Sequence, residues 1–319
     1  MLDQLMGQNA NQSARAEPGL AARRDPVAAV GWGLAANLIF SVVLASGKFG
    51  GAESPALQIV FLRYLGGFIS LALVLRVVNG QRLEDTLSSA RPGLHMGRAV
   101  AGAAGVVCAL WAATRMPLAD ASSINLTNSV WFILWAALFL GERIRLGQAL
   151  AILVCLLGAL IVVRGNAASA QAGTTSYLLP AAVAAIGAAL SGIEMLLVKK
   201  MSAHERASTM VLFVNGLGAL LLSIPALLLW HPLDLVGVAG FMLLGPLAII
   251  GQLCNVRGFR LADASLVGAV IYSSVIFATL IGFLVFDERP SMATLAGCGL
   301  IIAGGLTIAH LARRHSGRP

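Results

Sequence analysis

Residues 117–144 read PLADASSINLTNSVWFILWAALFLGERI, and residues 261–290 read LADASLVGAVIYSSVIFATLIGFLVFDERP. Both contain the pentapeptide LADAS, at 118–122 and 261–265, then run through an apolar stretch to a Glu-Arg pair, Glu142-Arg143 and Glu288-Arg289. The interval from Ala119 to Glu142 is 23 residues and that from Ala262 to Glu288 is 26, a mismatch of most of one helical turn. A chain that carries the same pattern twice is built from two repeats. Each apolar run has the roughly 20 residues that a helix needs to cross a bilayer. Neither run shows the short alternating segments of a membrane barrel strand.

Outward from these two stretches the chain continues in kind. Hydrophobic residues make up 58% of it and charged residues 11%, against about 25% charged in a soluble domain. Apolar runs of spanning length fall at 27–47, 55–77, 94–114, 118–140, 146–164, 176–198, 208–230, 235–257, 262–286 and 291–312. The fold class is therefore an all-α integral membrane protein with ten transmembrane helices. The two LADAS copies open the fourth and ninth spans. Five spans separate them, an odd number, so the halves enter the membrane in opposite directions: two inverted-topology five-helix repeats, a transporter signature. Phe61-Leu62-Arg63 in the second span aligns with Phe213-Val214-Asn215 in the seventh, and Lys48 with Lys199. The organisation expected is a disordered cytoplasmic tail at 1–26, a first repeat at 27–165, a second at 176–312 and a short cytoplasmic tail at 313–319. The first tail is polar and lacks the apolar core of a secretory signal.

The net charge of +8 follows topology. With the N-terminus cytoplasmic, seventeen of the 22 Lys and Arg fall on the cytoplasmic side. Lys48, Arg115, Arg164 and Arg289 fall on the other side, and Arg63 alone lies within a span. This is the positive-inside bias, with both termini cytoplasmic, and it argues against nucleic acid as a partner. Cys108, Cys155, Cys254 and Cys298 all lie in apolar segments without metal-ligand spacing and read as packing residues. The five histidines sit at or near helix ends or in connections, and no H-E-x-x-H occurs. No metal, cofactor or catalytic set is expected, and the chain does not read as an enzyme.

The stretches 117–144 and 261–290 resemble the fourth helix of the EamA-type repeat of the drug/metabolite transporter superfamily, and Arg63 in FLRYLGG looks like the arginine often found in the second helix of that family. The resemblance covers about 27–312. It implies a central cavity lined by spans 1–4 and 6–9, with spans 5 and 10 outside, and transport of small metabolites, often export. Related first repeats often carry a proline near the position of Ser129, so its absence predicts a straighter fourth span.

An ionisable group within a span is a functional candidate by default. Arg63 reads either as a contact for a substrate anion or as a structural hydrogen-bond donor. Glu194 reads either as a proton-coupling or cation-binding group, or as a side chain that snorkels to the interface. Neutral polar groups form a second tier: Asn37, Asn125, Ser129, Asn215, Gln252 and Asn255, with Ser122, Asn125 and Ser129 on one helix face and Ser265, Gly268 and Tyr272 on another. Each could equally bond a neighbouring helix. Trp131 and Tyr272 could stack on a planar ligand. Pro246 predicts a kink in the eighth span. Asp120 and Asp263 sit where a carboxylate complements the helix dipole. Their alternative role is a gate at each end of the cavity. Glu142 and Glu288 read as charges that fix loops.

The reading that results is a secondary transporter in a bacterial inner membrane, moving a small metabolite such as an amino acid, nucleoside or vitamin by alternating access. Export is favoured over uptake. Protons are the candidate coupling ion, and the protein is a monomer or a homodimer. A lipid flippase and an intramembrane enzyme are the alternatives.

Overall fold

The structure, a computed structural model, describes residues 25–49, 56–78, 80, 86–87, 89, 91–141, 144, 146–169, 174–202, 205–261 and 270–316. Residues 262–265 of the second LADAS, with Asp263, and also Gly268, Glu142 and Arg143, lie outside these described residues, as do 1–24 of the expected N-terminal tail.

Within them the chain is helical. The elements are α1 (Pro26–Phe49), α2 (Ala56–Leu73, continued by a π-helical turn Val74–Val78), α3 (Pro92–Ala113), α4 (Leu118–Asn125) and α5 (Asn128–Leu140). They continue with α6 (Leu146–Ser169), α7 (Thr174–Ser202), α8 (Ala207–Leu228), α9 (Leu235–Leu261), α10 (Ser273–Phe286) and α11 (Met292–Ser316). In a bilayer the backbone must satisfy its own hydrogen bonds, and a helix does so within one segment. Eight stretches are long and apolar enough to cross a membrane, among them Leu118–Phe139, which joins α4 and α5. Ser273–Phe286 and Met292–Thr307 are two shorter apolar helices. Together they correspond to ten spans.

Local chemistry sets the ends. Asp25 starts α1, its Oδ1 accepting the Ala28 N–H at 3.0 Å. Pro92 occupies the first position of α3, where a missing N–H costs nothing. Gly141 ends α5 in the left-handed region, at φ 69°. Helix α11 runs to Ser316, four residues beyond the expected end of the tenth span and into what was read as a tail.

The fourth span is interrupted, contrary to the expectation of a straighter helix. At Leu126-Thr127 the bonding tightens, the Thr127 and Val130 amides donating three residues back to Ile124 and Thr127. The Thr127 and Ser129 hydroxyls donate to the Ile124 and Leu126 carbonyls. Hydroxyls that bond nearby carbonyls offer the backbone an alternative to its helical ladder. In α9, by contrast, the helix runs through Pro246 without interruption.

The packing repeats itself when the two halves are exchanged. α3 packs on α7 as α9 packs on α1, and α5 on α7 as α10 on α1. α2–α8 and α6–α11, the second span on the seventh and the fifth on the tenth, each map onto themselves. Small residues allow these approaches where lipid offers no hydrophobic drive. A Cβ on Gly158 would come within 2.7 Å of the Gly297 carbonyl, and one on Gly187 within 3.1 Å of the Gly105 carbonyl.

Candidate functional site

Charged side chains gather within the spans on the seam between the repeats. Arg63 and Tyr64 come from α2, Arg98 from α3 and Glu194 from α7. Arg63 lies seven residues into α2, roughly 10 Å along the axis. It is 8% exposed and Arg98 5%. The Arg98 Nη1 donates to the Met210 carbonyl of α8 at 2.7 Å, and its Nε lies 3.5 Å from Glu194 Oε1. Glu194 covers Gly102 of α3, where a Cβ would sit 2.9 Å from its carboxyl carbon. Its carboxylate is therefore taken up by α3. The Arg63 guanidinium lies over the Tyr64 ring at 4.4 Å. The Nε atoms of Arg63 and Arg98 are buried without a hydrogen-bond partner.

The backbone beneath Arg63 is held closely. A Cβ on Gly66 would lie 2.0 Å from the Met242 carbonyl, and one on Gly245 2.4 Å from the Arg63 carbonyl. Pro246 explains part of this: lacking an N–H, it leaves the carbonyl four residues earlier, Met242, without its helical donor. That carbonyl faces Gly66.

The other expected site residues divide. Asn215 belongs to the seam: its amide donates to Val211 at 2.8 Å, and its Oδ1 would be 2.4 Å from a Cβ on Gly67. Trp131 packs its Cβ against Gly192, two residues before Glu194, and stacks on Trp135 at 5.9 Å between ring centroids. Asn37 instead joins α1 to the start of the ninth span, donating to the Val270 carbonyl at 2.8 Å and to Ser273 Oγ at 3.2 Å. The Tyr272 hydroxyl is wedged against Gly305 of α11. This contact engages Tyr272 in helix packing. Asn125, Gln252 and Asn255 are half-buried, on α4 and α9.

Two further constellations carry charge. At the end of the bundle where α1 finishes and α4 begins, Glu288 pairs with Lys48 and accepts the Leu118 N–H through Oε2 at 2.7 Å. Lys48 also donates to the Met116 carbonyl at 3.0 Å. The Glu of the second Glu-Arg pair thus caps the helix opened by the first LADAS. Asp120 lies beside it, accepting from Tyr177 of α7 at 2.7 Å and from Thr294 of α11 at 2.5 Å. At the opposite end, His95 stacks on Phe213 at 4.2 Å, and its Nε2 lies 3.1 Å from Ser89 Oγ, which bonds Glu205.

Arg98 is the member of the central cluster that sequence reasoning missed. Only four residues into the span read at 94–114, it groups with the cytoplasmic cations; α3 begins at Pro92 and buries it. The signal was present in Gly102, a small residue one turn on, which leaves room for a facing carboxylate.

A model of the EamA-like transporter family matches residues 27–164 and again 178–309. The chain is 30% identical over 279 residues to a pseudopaline exporter of Pseudomonas aeruginosa, covering 86% of this chain and 93% of that protein. It is 25% identical over 289 residues to a riboflavin transporter of Vibrio cholerae, covering 88% and 92%. It is 22% identical over 280 residues to an S-adenosylmethionine uptake transporter of Rickettsia bellii, again covering 88% and 92%. A protein solved by crystallography shares the fold at a TM-score of 0.59 and 20% identity, over 91% of this chain and 99% of that one.

Proposed function

Because the chain belongs to the EamA-like transporter family, we propose that it is a secondary transporter that carries a small metabolite across a bacterial inner membrane by alternating access. The observation that supports this best is the gathering of Arg63, Arg98 and Glu194 from spans of both repeats. Ionisable groups within spans are costly and mark solute paths. Export is the favoured direction, in keeping with the pseudopaline exporter at 30% identity. Both termini are cytoplasmic, as the distribution of Lys and Arg requires. The repeats are read as 27–165 and 176–312. Arg63 contacts the solute, and Glu194 serves either proton coupling or a cationic group of the solute. Trp131, Asn125 and Asn215 are further candidate contacts along the same path.

A metabolite comparison tests this reading. Cells with and without the protein are compared inside and outside. A solute that builds up inside the cells lacking it and is depleted from their medium is expected, and Arg63→Ala should reproduce that pattern while still inserting. The opposite gradient would identify uptake, and a chemically altered solute would identify an enzyme.

A further inference from the structure

We propose that Arg63 is the anchor for a carboxylate of the transported solute, so that the substrates of this protein are organic acids or zwitterions. The proposal rests on the transporter reading and adds the chemistry of the cargo.

A charge count within the spans carries it. As residues, Arg63 and Arg98 are each more than nine-tenths buried, and they share the seam with one carboxylate, Glu194. Arg98 takes that carboxylate at 3.5 Å and also the Met210 carbonyl at 2.7 Å. Among the described residues no acidic group is left for Arg63, and the contacts that it does make are to Tyr64, its own chain neighbour. Its Nε is buried with no hydrogen-bond partner. Glu194 and Arg98 cancel, so the cluster keeps one net positive charge.

An arginine cannot relieve this by losing its proton. A buried charge without a partner is strongly unfavourable. A carboxylate of the transported solute would supply the missing anion. A guanidinium presents its donors in a fixed fork that matches the two oxygens of a carboxylate. The fork is well held: the helix beneath it is pressed onto α9 at Gly66, Gly67 and Gly245, and the Arg63 carbonyl itself lies in that contact. The Tyr64 ring supports the guanidinium face and leaves its edge for the ligand.

The test uses the purified full-length protein in detergent and reads thermal unfolding, which involves no transport. Without added solute, Arg63→Gln should raise the unfolding midpoint, by about 2–4 °C, because the substitution removes an unpaired charge. Sodium acetate, at ionic strength held constant with sodium chloride, should stabilise the wild type. It should leave Arg63→Gln unshifted, and acetamide should shift neither protein. Both results are required. A midpoint lowered by Arg63→Gln makes Arg63 a structural donor and overturns the proposal. So does stabilisation by acetamide equal to that by acetate, or by phosphate and not acetate, which would assign a phosphate group instead. Should these measurements fail while the metabolite comparison still identifies an exported solute, the transporter reading stands and only the carboxylate anchor falls.

Discussion

Replacing Gly245 with alanine puts a methyl group into the tightest crossing between the two repeats. The new Cβ would lie 2.1 Å from the Gly67 nitrogen, 2.4 Å from the Arg63 carbonyl oxygen and 2.7 Å from the Gly66 carbonyl carbon. Ordinary contact begins near ~3.5 Å, so the shortfall at the closest atom is roughly 1.4 Å. All three neighbours are backbone and cannot swing aside, so α2 and α9 must separate. Overpacking costs about 1–3 kcal/mol, and rigid neighbours place this case at about 3. Alanine returns at most about 1 kcal/mol through its helix preference. The net loss is about 2 kcal/mol, close to a thirtyfold change in equilibrium. Gly240 lies on the same helix with nothing within 4 Å of its Cβ position, so Gly240→Ala should be neutral or slightly stabilising. Thermal unfolding of the two variants in detergent, each first checked for monodispersity, measures the difference. If Gly245→Ala unfolds at or above the midpoint of Gly240→Ala, the helices do not meet as described. The reasoning about how Arg63 is held then fails with it.

Three other outcomes are expected. Lys48→Met should destabilise more than Lys48→Met combined with Glu288→Gln, because the single change leaves a largely buried carboxylate unpaired. A double-mutant cycle should return a coupling of about 1–3 kcal/mol, and simple additivity would refute the pair. Glu194→Gln should abolish stimulation of transport by a pH gradient in proteoliposomes while solute exchange persists; a mutant still driven by the gradient would exclude coupling through this carboxylate. A cysteine placed at Ser316 should resist impermeant reagents added outside whole cells, and labelling there would invert the proposed orientation.

The spans and their pairing into repeats were legible because each depends on a long local signal, an apolar run or a repeated phrase. Arg63 and Glu194 stood out because charge is rare inside a span. What was not legible depends on how each helix is turned about its own axis. Tyr272 reads as a stacking platform on a one-dimensional face, yet Gly305 gives it a slot in the packing against the tenth span. Asn37 is used up by Val270 and Ser273, more than 230 positions away. Arg98 lies near the start of its span, where a cation reads as part of the cytoplasmic end, and only the packing of α3 buries it. The interruption at Leu126-Thr127 carries no proline to announce it; there the Thr127 and Ser129 hydroxyls bond carbonyls three residues back.

The bridge from Glu288 to Lys48 also bears on how the protein is made. The two residues are 240 positions apart, and Glu288 is 170 positions from the amide of Leu118 that it caps. Asp120 waits 174 positions for the Thr294 hydroxyl. During synthesis the first half therefore enters the membrane with an ammonium ahead of its carboxylate partner, an open helix start and a carboxylate still awaiting Tyr177 and Thr294. All three are completed only when the ninth span has been inserted and the tenth is arriving. A ribosome stalled before Glu288 would leave a nascent chain whose spans are all but complete in number while this end is still unsealed, the form that a membrane quality-control protease is best placed to recognise.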